Sequence, residues 1–334
     1  MRAYLTYFAK RFGQFLLVVF IGINLAYLIT HATPIDPVEH SVAVSTSFGQ
    51  TAPEAVAAMR ESLRELYGLT GTPLEQYVGF WRRVIVADFG PSLSAFPTPV
   101  STLIARATPW TVGLLGFATI ATWIIGNLLG GLAGYYRRNR MFKAFGILAM
   151  GLHPMPYYIA AMLLLIVFGY LWPILPISGG AQMNLPQGWT LDYAASVLRH
   201  SILPALSLML VGLGGWFLGM RSLVSNIVTE DYVVYAEIAG VDRRRILGAY
   251  VMRNALAPQV TGLAISLGHV FSGALITERV FGYPGIGSLL VDGVHAGDYS
   301  LVLGVATISI LGVSIAVLVI DLIYPLIDPR VTVG

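Results

Sequence analysis

Residues 107–136 read ATPWTVGLLGFATIATWIIGNLLGGLAGYY and contain no charged side chain. A helix that crosses a bilayer needs about 20 mostly apolar residues, and this stretch is longer than that. Strands of a membrane barrel would be about ten residues long and would alternate polar with apolar positions. This run is apolar on all sides, so it predicts a membrane-spanning helix centred on 111–132.

Five further stretches of the chain have the same character. Together the six predicted spans are 12–30, 111–132, 144–168, 201–220, 257–277 and 299–320. Of the 334 residues 56% are hydrophobic and 11% are charged, whereas a soluble domain carries about 25% charged residues. The mean hydropathy is +0.73. The sequence therefore predicts an all-α polytopic membrane protein with six transmembrane helices.

The positions of the basic residues predict how the chain crosses the membrane. Most of the 20 Lys and Arg residues fall before the first span, between spans two and three, between spans four and five, and at Arg330. Because cytoplasmic loops are rich in Lys and Arg, both termini are expected in the cytoplasm. Segments 31–106, 170–200 and 278–298 are then expected outside. The first span has the basic start of a cleaved signal, but its long apolar core favours a retained anchor.

This topology divides the chain into three parts. Residues 1–30 form a cytoplasmic N-terminus and the first span, and residues 31–106 form an extracytoplasmic cap that holds most of the acidic residues. Residues 107–334 form a five-helix core with a cytoplasmic loop at 221–258. The cap is either a cover packed on the membrane part or a docking surface for a partner, and composition does not choose between them.

Several kinds of chemistry are excluded or disfavoured by composition. The chain has no cysteine, which excludes a disulfide scaffold, a thiolate metal site and a cysteine nucleophile. A phosphate-binding loop needs a Gly-Lys pair, but the only lysines are Lys10 and Lys143, which follow Ala9 and Phe142. No catalytic constellation or metal-ligand spacing is found. The basic residues follow the topology, so no nucleic-acid binding is expected.

The loop at 221–258 carries the most specific pattern. Residues 231–240 read DYVVYAEIAG, and a glycine at the end predicts a helix that stops at Gly240 in the left-handed conformation. Asp242 follows in a position to cap a second helix. Two short helices separated by a glycine form a lever to which another protein could bind. The alternative is a basic loop whose only role is to keep Lys and Arg on the cytoplasmic side.

Three blocks of sequence carry a resemblance to a known family. The first is Asp231-Tyr-Val-x-x-Ala236-x-x-x-Gly240 with Arg253-Asn-Ala-Leu-x-Pro258. The second is Glu278-x-x-Phe281-x-x-Pro284-Gly285-x-Gly287, and the third is Phe89-Gly-x-Ser92 with Pro99-Val-x-x-Leu103-Ile. In their order along the chain they resemble the inner-membrane permeases of binding-protein-dependent ABC importers, in particular the first, longer permease of the dipeptide/oligopeptide/nickel family. Tyr235, Glu237, Ile238 and Ala239 depart from that family's pattern.

The resemblance implies a type I ABC importer permease fold and a set of partners. These are a second homologous permease, two ABC ATPases that hold ATP and Mg²⁺, an extracytoplasmic binding protein and membrane lipid, in a bacterial or archaeal cytoplasmic membrane. This chain itself is expected to bind no cofactor and to catalyse no reaction. The cargo expected from the family is di- or oligopeptides, with oligosaccharides, opines or nickel chelates as alternatives. A self-sufficient secondary transporter or channel is the rival class, and a membrane-embedded enzyme subunit would need a site that the sequence lacks.

The resemblance and the residue types together give three sets of candidate residues. The coupling loop comprises Tyr232, Tyr235, Ala236, Glu237, Gly240, Asp242, Arg243, Arg253 and Asn254. A gate or binding-protein contact comprises Glu278, Phe281, Pro284, Gly285 and Gly287, with a tight connection between spans as the equal alternative. The polar and aromatic residues His153, Trp216, Met220 and His269 are candidates for lining the pathway, although helix packing is the ordinary role for each. Gly126 and Gly130 predict close helix approach.

Overall fold

A computed structural model describes residues 2–32, 37–46 and 53–327, and in these ranges the chain is helical with no β-strand. Arg330, the end of the predicted core and Asp36 of the cap lie outside the described residues. The helices are α1 Arg2–Ala32, α2 Pro37–Thr46, α3 Pro53–Leu66, α4 Pro73–Ile85, α5 Val100–Tyr135, α6 Arg140–Leu152, α7 Tyr157–Leu165, α8 Leu191–Ile227, α9 Asp231–Ile238, α10 Arg243–Arg245, α11 Arg253–Gly268, α12 Leu275–Val280, α13 Ile286–His295 and α14 Tyr299–Ile327. The all-α polytopic class predicted from the sequence is confirmed.

Four helices in the described residues are long and apolar enough to cross a membrane, namely α1, α5, α8 and α14. A fifth span is obtained if the bent pair 140–152 and 157–171 is counted as one. The two parts of that pair meet at 105° because Pro154 and Pro156 interrupt the helix between them. The single span predicted at 144–168 is thus two helices, with α7 continuing in π-helical turns over Ile166–Leu171.

The span predicted at 257–277 is also interrupted. Helix α11 has 16 residues, fewer than the span predicted there, and one 3₁₀ turn over His269–Ser272 follows it. Gly273 then takes a φ of +77°, which a residue with a side chain adopts only under strain. The backbone of Gly287 lies against Gly273, so a distant part of the chain helps to form this break. The structure therefore has a break near Gly273 where the sequence predicts one span over 257–277.

Helices α5 and α8 form the central pair of the membrane part. A Cβ at Gly126 would lie 2.5 Å from the Cβ of Trp216, and a Cβ at Gly130 would overlap the carbonyl oxygen of Phe217. The two backbones can approach this closely only because both positions on α5 are glycine. The close approach predicted from Gly126 and Gly130 is confirmed, and it places Trp216 and Phe217 at the centre of the fold.

Helices α1 and α14 pack together beside this pair. At one end Tyr7 donates a hydrogen bond from its hydroxyl to the carbonyl oxygen of Asp321 (2.8 Å), and Arg11 pairs with the Asp321 carboxylate (3.3 Å). At the other end a buried apolar cluster joins both helices to α4 and α5. It contains Ile23, Val84, Phe89, Val100, Ile104, Ala107, Ile286, Leu301 and Val305.

The cap segment lies at this second end and comprises α2, α3 and α4. Helix α4 begins with a capping box in which Thr72 accepts from the amide of Glu75 and Glu75 accepts from the amide of Thr72. Asp298, fully buried before α14, accepts from Ser92 Oγ, from Ser94 Oγ (3.1 Å) and from the Ser94 amide (3.0 Å). Burial raises the pKa of Tyr67 to about 12, and the Asp298 carboxylate adds to the shift.

Candidate functional site

The segment 231–252 forms the helix, glycine and second helix that the sequence predicts. Helix α9 ends at Ile238, and Gly240 follows with a φ of +74°. Asp242 caps the next helix because its carboxylate accepts from the amide of Arg244 (3.0 Å). Helix α10 continues directly into π-helical turns over Ile246–Met252. These parts of the prediction are confirmed, and we call residues 231–252 the coupling segment.

Helix α9 has two apolar faces, and only one of them is covered by the chain itself. Val233 and Ala236 are buried against the end of α8, in a cluster with Met220, Val224, Ile246, Val251 and Ala255. On the other face Tyr235 is 69% exposed and Ile238 is 77% exposed. Ala236, which the sequence places in a partner contact, therefore belongs to the packing of the segment on its own membrane helices.

The remaining predicted coupling residues surround this exposed face or connect it to α11. Glu237, Gly240, Asp242 and Arg243 are all exposed. The amide Nδ2 of Asn254 donates to the hydroxyl of Tyr232 (3.2 Å) and to the carbonyl of Tyr250 (2.7 Å). Arg253 is also exposed. The structure thus brings the two halves of the first sequence block together, so that α9 is fastened to the start of α11.

A cavity of about 670 Å³ lies where α5, α7, α8 and α11 surround the break at Gly273. Its wall includes Trp216 and His269, as the sequence predicts, together with Tyr157, Tyr158 and Thr277. Met220 is fully buried in the cluster behind the coupling segment, and His153 packs on Gly214 and Gly215 of α8. These two candidates therefore belong to helix packing, which is the alternative role given for them above.

No Asp, Glu, Lys or Arg side chain lines this cavity. Its polar groups are the hydroxyls of Thr119, Thr122, Thr277, Ser266, Tyr157 and Tyr158, the Trp216 indole and the His269 imidazole. No group of three or more His, Cys, Asp and Glu residues that could hold a metal ion occurs within residues 2–32, 37–46 and 53–327. The cavity is thus lined by neutral and aromatic side chains together with one imidazole.

The second predicted group, Glu278 to Gly287, forms a compact hairpin between α12 and α13. Four of its five candidate residues are buried and only Pro284 is exposed, so contact with a partner is open to Pro284 alone. Phe281 is in the interior with Ala161 and Leu203. Its carbonyl accepts from the amide of Gly179 (2.9 Å), which joins the hairpin to segment 170–190.

Glu278 is the centre of this hairpin and has no exposed surface. Its Oε1 accepts from the hydroxyl of Thr111 on α5 (2.8 Å), and its Oε2 accepts from the amide of Ser288 (3.1 Å). The adjacent Arg279 pairs instead with Asp292 (2.6 Å) at the surface. Sequence reasoning missed Thr111, because nothing in an apolar span distinguishes it from other threonines.

The fold is that of a polytopic, α-helical membrane protein, with the coupling segment and the cavity as its candidate sites. Residues 126–333 match the family described as binding-protein-dependent transport system inner membrane component. The chain belongs to that family, and its identification as an ABC importer permease is confirmed.

Relatives align along nearly the whole chain. The probable D,D-dipeptide transport system permease protein DdpB of Escherichia coli is 30% identical over 93% of this chain and 92% of its own length. The oligopeptide transport system permease protein AppB of Bacillus subtilis is 28% identical over 94% and 95%. The dipeptide transport system permease protein DppB of Lactococcus lactis is 24% identical over 97% and 98%.

Proposed function

We propose that this chain is one of two homologous permeases in an ATP-driven importer, and that a binding protein delivers its cargo from outside. The observation that carries this proposal is the uncovered apolar face of α9. Burying a tyrosine and an isoleucine side chain contributes about 1.5–3 kcal/mol each, so a protein surface is the natural cover for them. The resemblance to ABC importer permeases implies an ATPase partner, which in this proposal supplies that surface.

The ATPase is expected to be a separate subunit that acts through the coupling segment. Because Val233, Ala236 and Ile246 pack against Met220 and Val224 near the end of α8, a push on α9 moves α8 with it. Asn254 connects the same helix to α11. ATP and Mg²⁺ belong to the ATPases in this proposal, and this chain binds neither.

The proposed orientation places the coupling segment in the cytoplasm and the cap outside. The exposed arginines Arg243, Arg244 and Arg245 lie on the coupling segment, and the basic loop 137–143 lies on the same side of the membrane in this topology. Both termini are then cytoplasmic. The cap and Pro284 face the binding protein.

The proposed cargo is di- or oligopeptides, because the similar proteins above are named as peptide permeases. Oligosaccharides, opines and nickel chelates are the alternatives within the family. The ligand that co-purifies with the cognate binding protein would distinguish them.

The experiment is reconstitution of this chain with its second permease, two ATPases and binding protein in proteoliposomes. Uptake of a labelled peptide should require ATP and the binding protein. Changing both Tyr235→Ser and Ile238→Ser should release the ATPases during purification by a tag on this chain. Met183→Ser, which alters a fully exposed apolar side chain in segment 170–200, is the control and should retain them. Uptake by this chain alone, driven by an ion gradient without ATP, would establish the secondary transporter instead.

A further inference from the structure

Helix α13 begins without a side chain of its own to satisfy its first amides. Its N-cap residue is Gly285, and the first helical N–H groups have no partner within a helix. The amide of Ile286 donates to Thr111 Oγ1 (2.7 Å), and the amide of Ser288 donates to Glu278 Oε2 (3.1 Å). The start of α13 is therefore capped by side chains from α5 and α12.

The glycines of the hairpin leave room for this arrangement. A Cβ at Gly285 would overlap the Glu278 carboxylate, and a Cβ at Gly287 would lie 2.8 Å from Glu278 Oε2 and 2.6 Å from the Cα of Leu275. Real Cβ atoms do not occupy such positions. The Glu-x-x-Phe-x-x-Pro-Gly-x-Gly pattern thus has a physical reason, because its glycines let a buried carboxylate reach the backbone of the next helix.

Glu278 directly follows the residues of α12 that line the cavity. Leu275, Ile276 and Thr277 line the cavity, and Glu278 is the next residue on the same short helix. Six residues further along the chain Pro284 is exposed on the outer loop. Backbone continuity and the hydrogen bonds at the start of α13 therefore connect Pro284 with Glu278 and the cavity wall.

We propose that Glu278 and Thr111 are positioning residues that hold the outer loop 282–287 and the cavity wall 275–277 as one unit. Docking of the binding protein on that loop then shifts the cavity wall directly. This inference rests on the proposed function, because it needs a binding protein that contacts the outer side. The Glu278 carboxylate accepts hydrogen bonds from the Thr111 hydroxyl and the Ser288 amide. No ion pair to Glu278 is present in the part of the chain that the structure describes.

The test compares variants that keep or remove this hydrogen bonding at nearly constant volume. Thr111→Val removes the hydroxyl that donates to Glu278 and accepts from Ile286, and Thr111→Ser keeps it. Glu278→Gln replaces one acceptor oxygen with a donor. The measured quantity is the ratio of ATPase activity with and without loaded binding protein, in the purified four-subunit complex in lipid nanodiscs.

We expect Thr111→Val and Glu278→Gln each to lower this ratio by about tenfold, the effect of losing a hydrogen bond to a charged acceptor. Thr111→Ser should retain the wild-type ratio. The variant that combines Thr111→Val with Glu278→Gln should have a ratio no lower than that of the single variant with the lower ratio, because both changes break the same hydrogen-bond network. Asp292→Asn is the control, because it breaks the exposed Arg279 pair on the same hairpin and should leave the ratio unchanged.

A wild-type ratio in assembled complexes of Thr111→Val and Glu278→Gln would overturn the inference. If the thermal midpoint of these variants is lowered while the ratio stays unchanged, the role of the two residues is purely structural. A wild-type complex that shows no stimulation by any binding protein would contradict the proposed function itself, so the two failures are distinguishable.

Discussion

Substitution of Gly240 tests whether the left-handed turn of the coupling segment transmits force. Nothing lies within 4 Å of a Cβ at this position, so a side chain meets no steric obstacle. The whole cost arises from the φ of +74°, which for a residue with a side chain amounts to about 1–2 kcal/mol. A branched side chain as in Gly240→Val is at the upper end of this range, whereas Gly240→Asn costs less because asparagine tolerates this conformation.

The strain can be relieved only by rotating α9 relative to α10. Since every 1.4 kcal/mol is a factor of ten, the segment should leave its native arrangement about 5–30 times more readily in Gly240→Val. We expect transport per ATP hydrolysed to fall by a similar factor, with the four subunits still purified together. The assay measures peptide uptake and phosphate release in the same proteoliposomes.

The matched control is Gly248→Ala in the same segment. Gly248 also has open space around a Cβ, but its φ is not positive, so alanine is adopted there without strain. Gly248→Ala and Gly240→Asn should couple transport to hydrolysis nearly as well as the wild type. Normal coupling in Gly240→Val would refute the reasoning that the turn transmits force.

Three further predictions concern the scaffold. Gly126→Val should lower the free energy of unfolding by about 1–3 kcal/mol, because the side chain overpacks against α8. Gly116→Ala on the same helix has open space around its Cβ and should raise that free energy by up to about 1 kcal/mol. Both changes are measured as shifts of the thermal midpoint in detergent. Burial raises the pKa of Tyr67 from 10.0 to about 12, so the neutral phenol stabilises the fold below pH 10 and this stability is lost as pH rises from about 10 to about 12. Tyr67→Phe should remove this loss and the matching step in a 295 nm absorbance titration. A profile identical to that of the wild type would contradict the assignment. Asp298→Asn should weaken the anchoring of residues 91–98 by about 1.5–3 kcal/mol and increase proteolytic cleavage there, and unchanged cleavage would show that Ser92 and Ser94 are held by other contacts.

The features that could be predicted from the sequence are those fixed by near neighbours in the chain. Helix α9, its end at Gly240 and the cap at Asp242 depend on residues within a few positions of each other. The apolar spans follow in the same way from local composition. The close helix packing at Gly126 and Gly130 also follows from residues that are near each other on α5. The family resemblance comes from blocks of this kind too.

The features that escaped prediction depend on contacts between distant residues. Glu278 and Thr111 are 167 residues apart, and the break at Gly273 lies against Gly287. Likewise, the sequence makes Met220 a candidate for lining the pathway, whereas in the structure the coupling segment covers it. Exposure on a helix in a membrane depends on its neighbours, and a uniformly apolar helix gives no periodic signal to show which side they occupy.

Helix α8 has 37 residues and so extends for about 55 Å, well beyond the roughly 30 Å of bilayer hydrocarbon. It runs from Leu191 to Ile227 with Pro204 inside it, and the glycines of α5 let it pack closely along its middle. A rigid tilt of this helix by about 5° would displace its far end by about 5 Å over this length. In the proposed importer, a small rotation at the coupling segment is therefore enlarged toward the other end of α8, and Pro204 is the point where bending would reduce it.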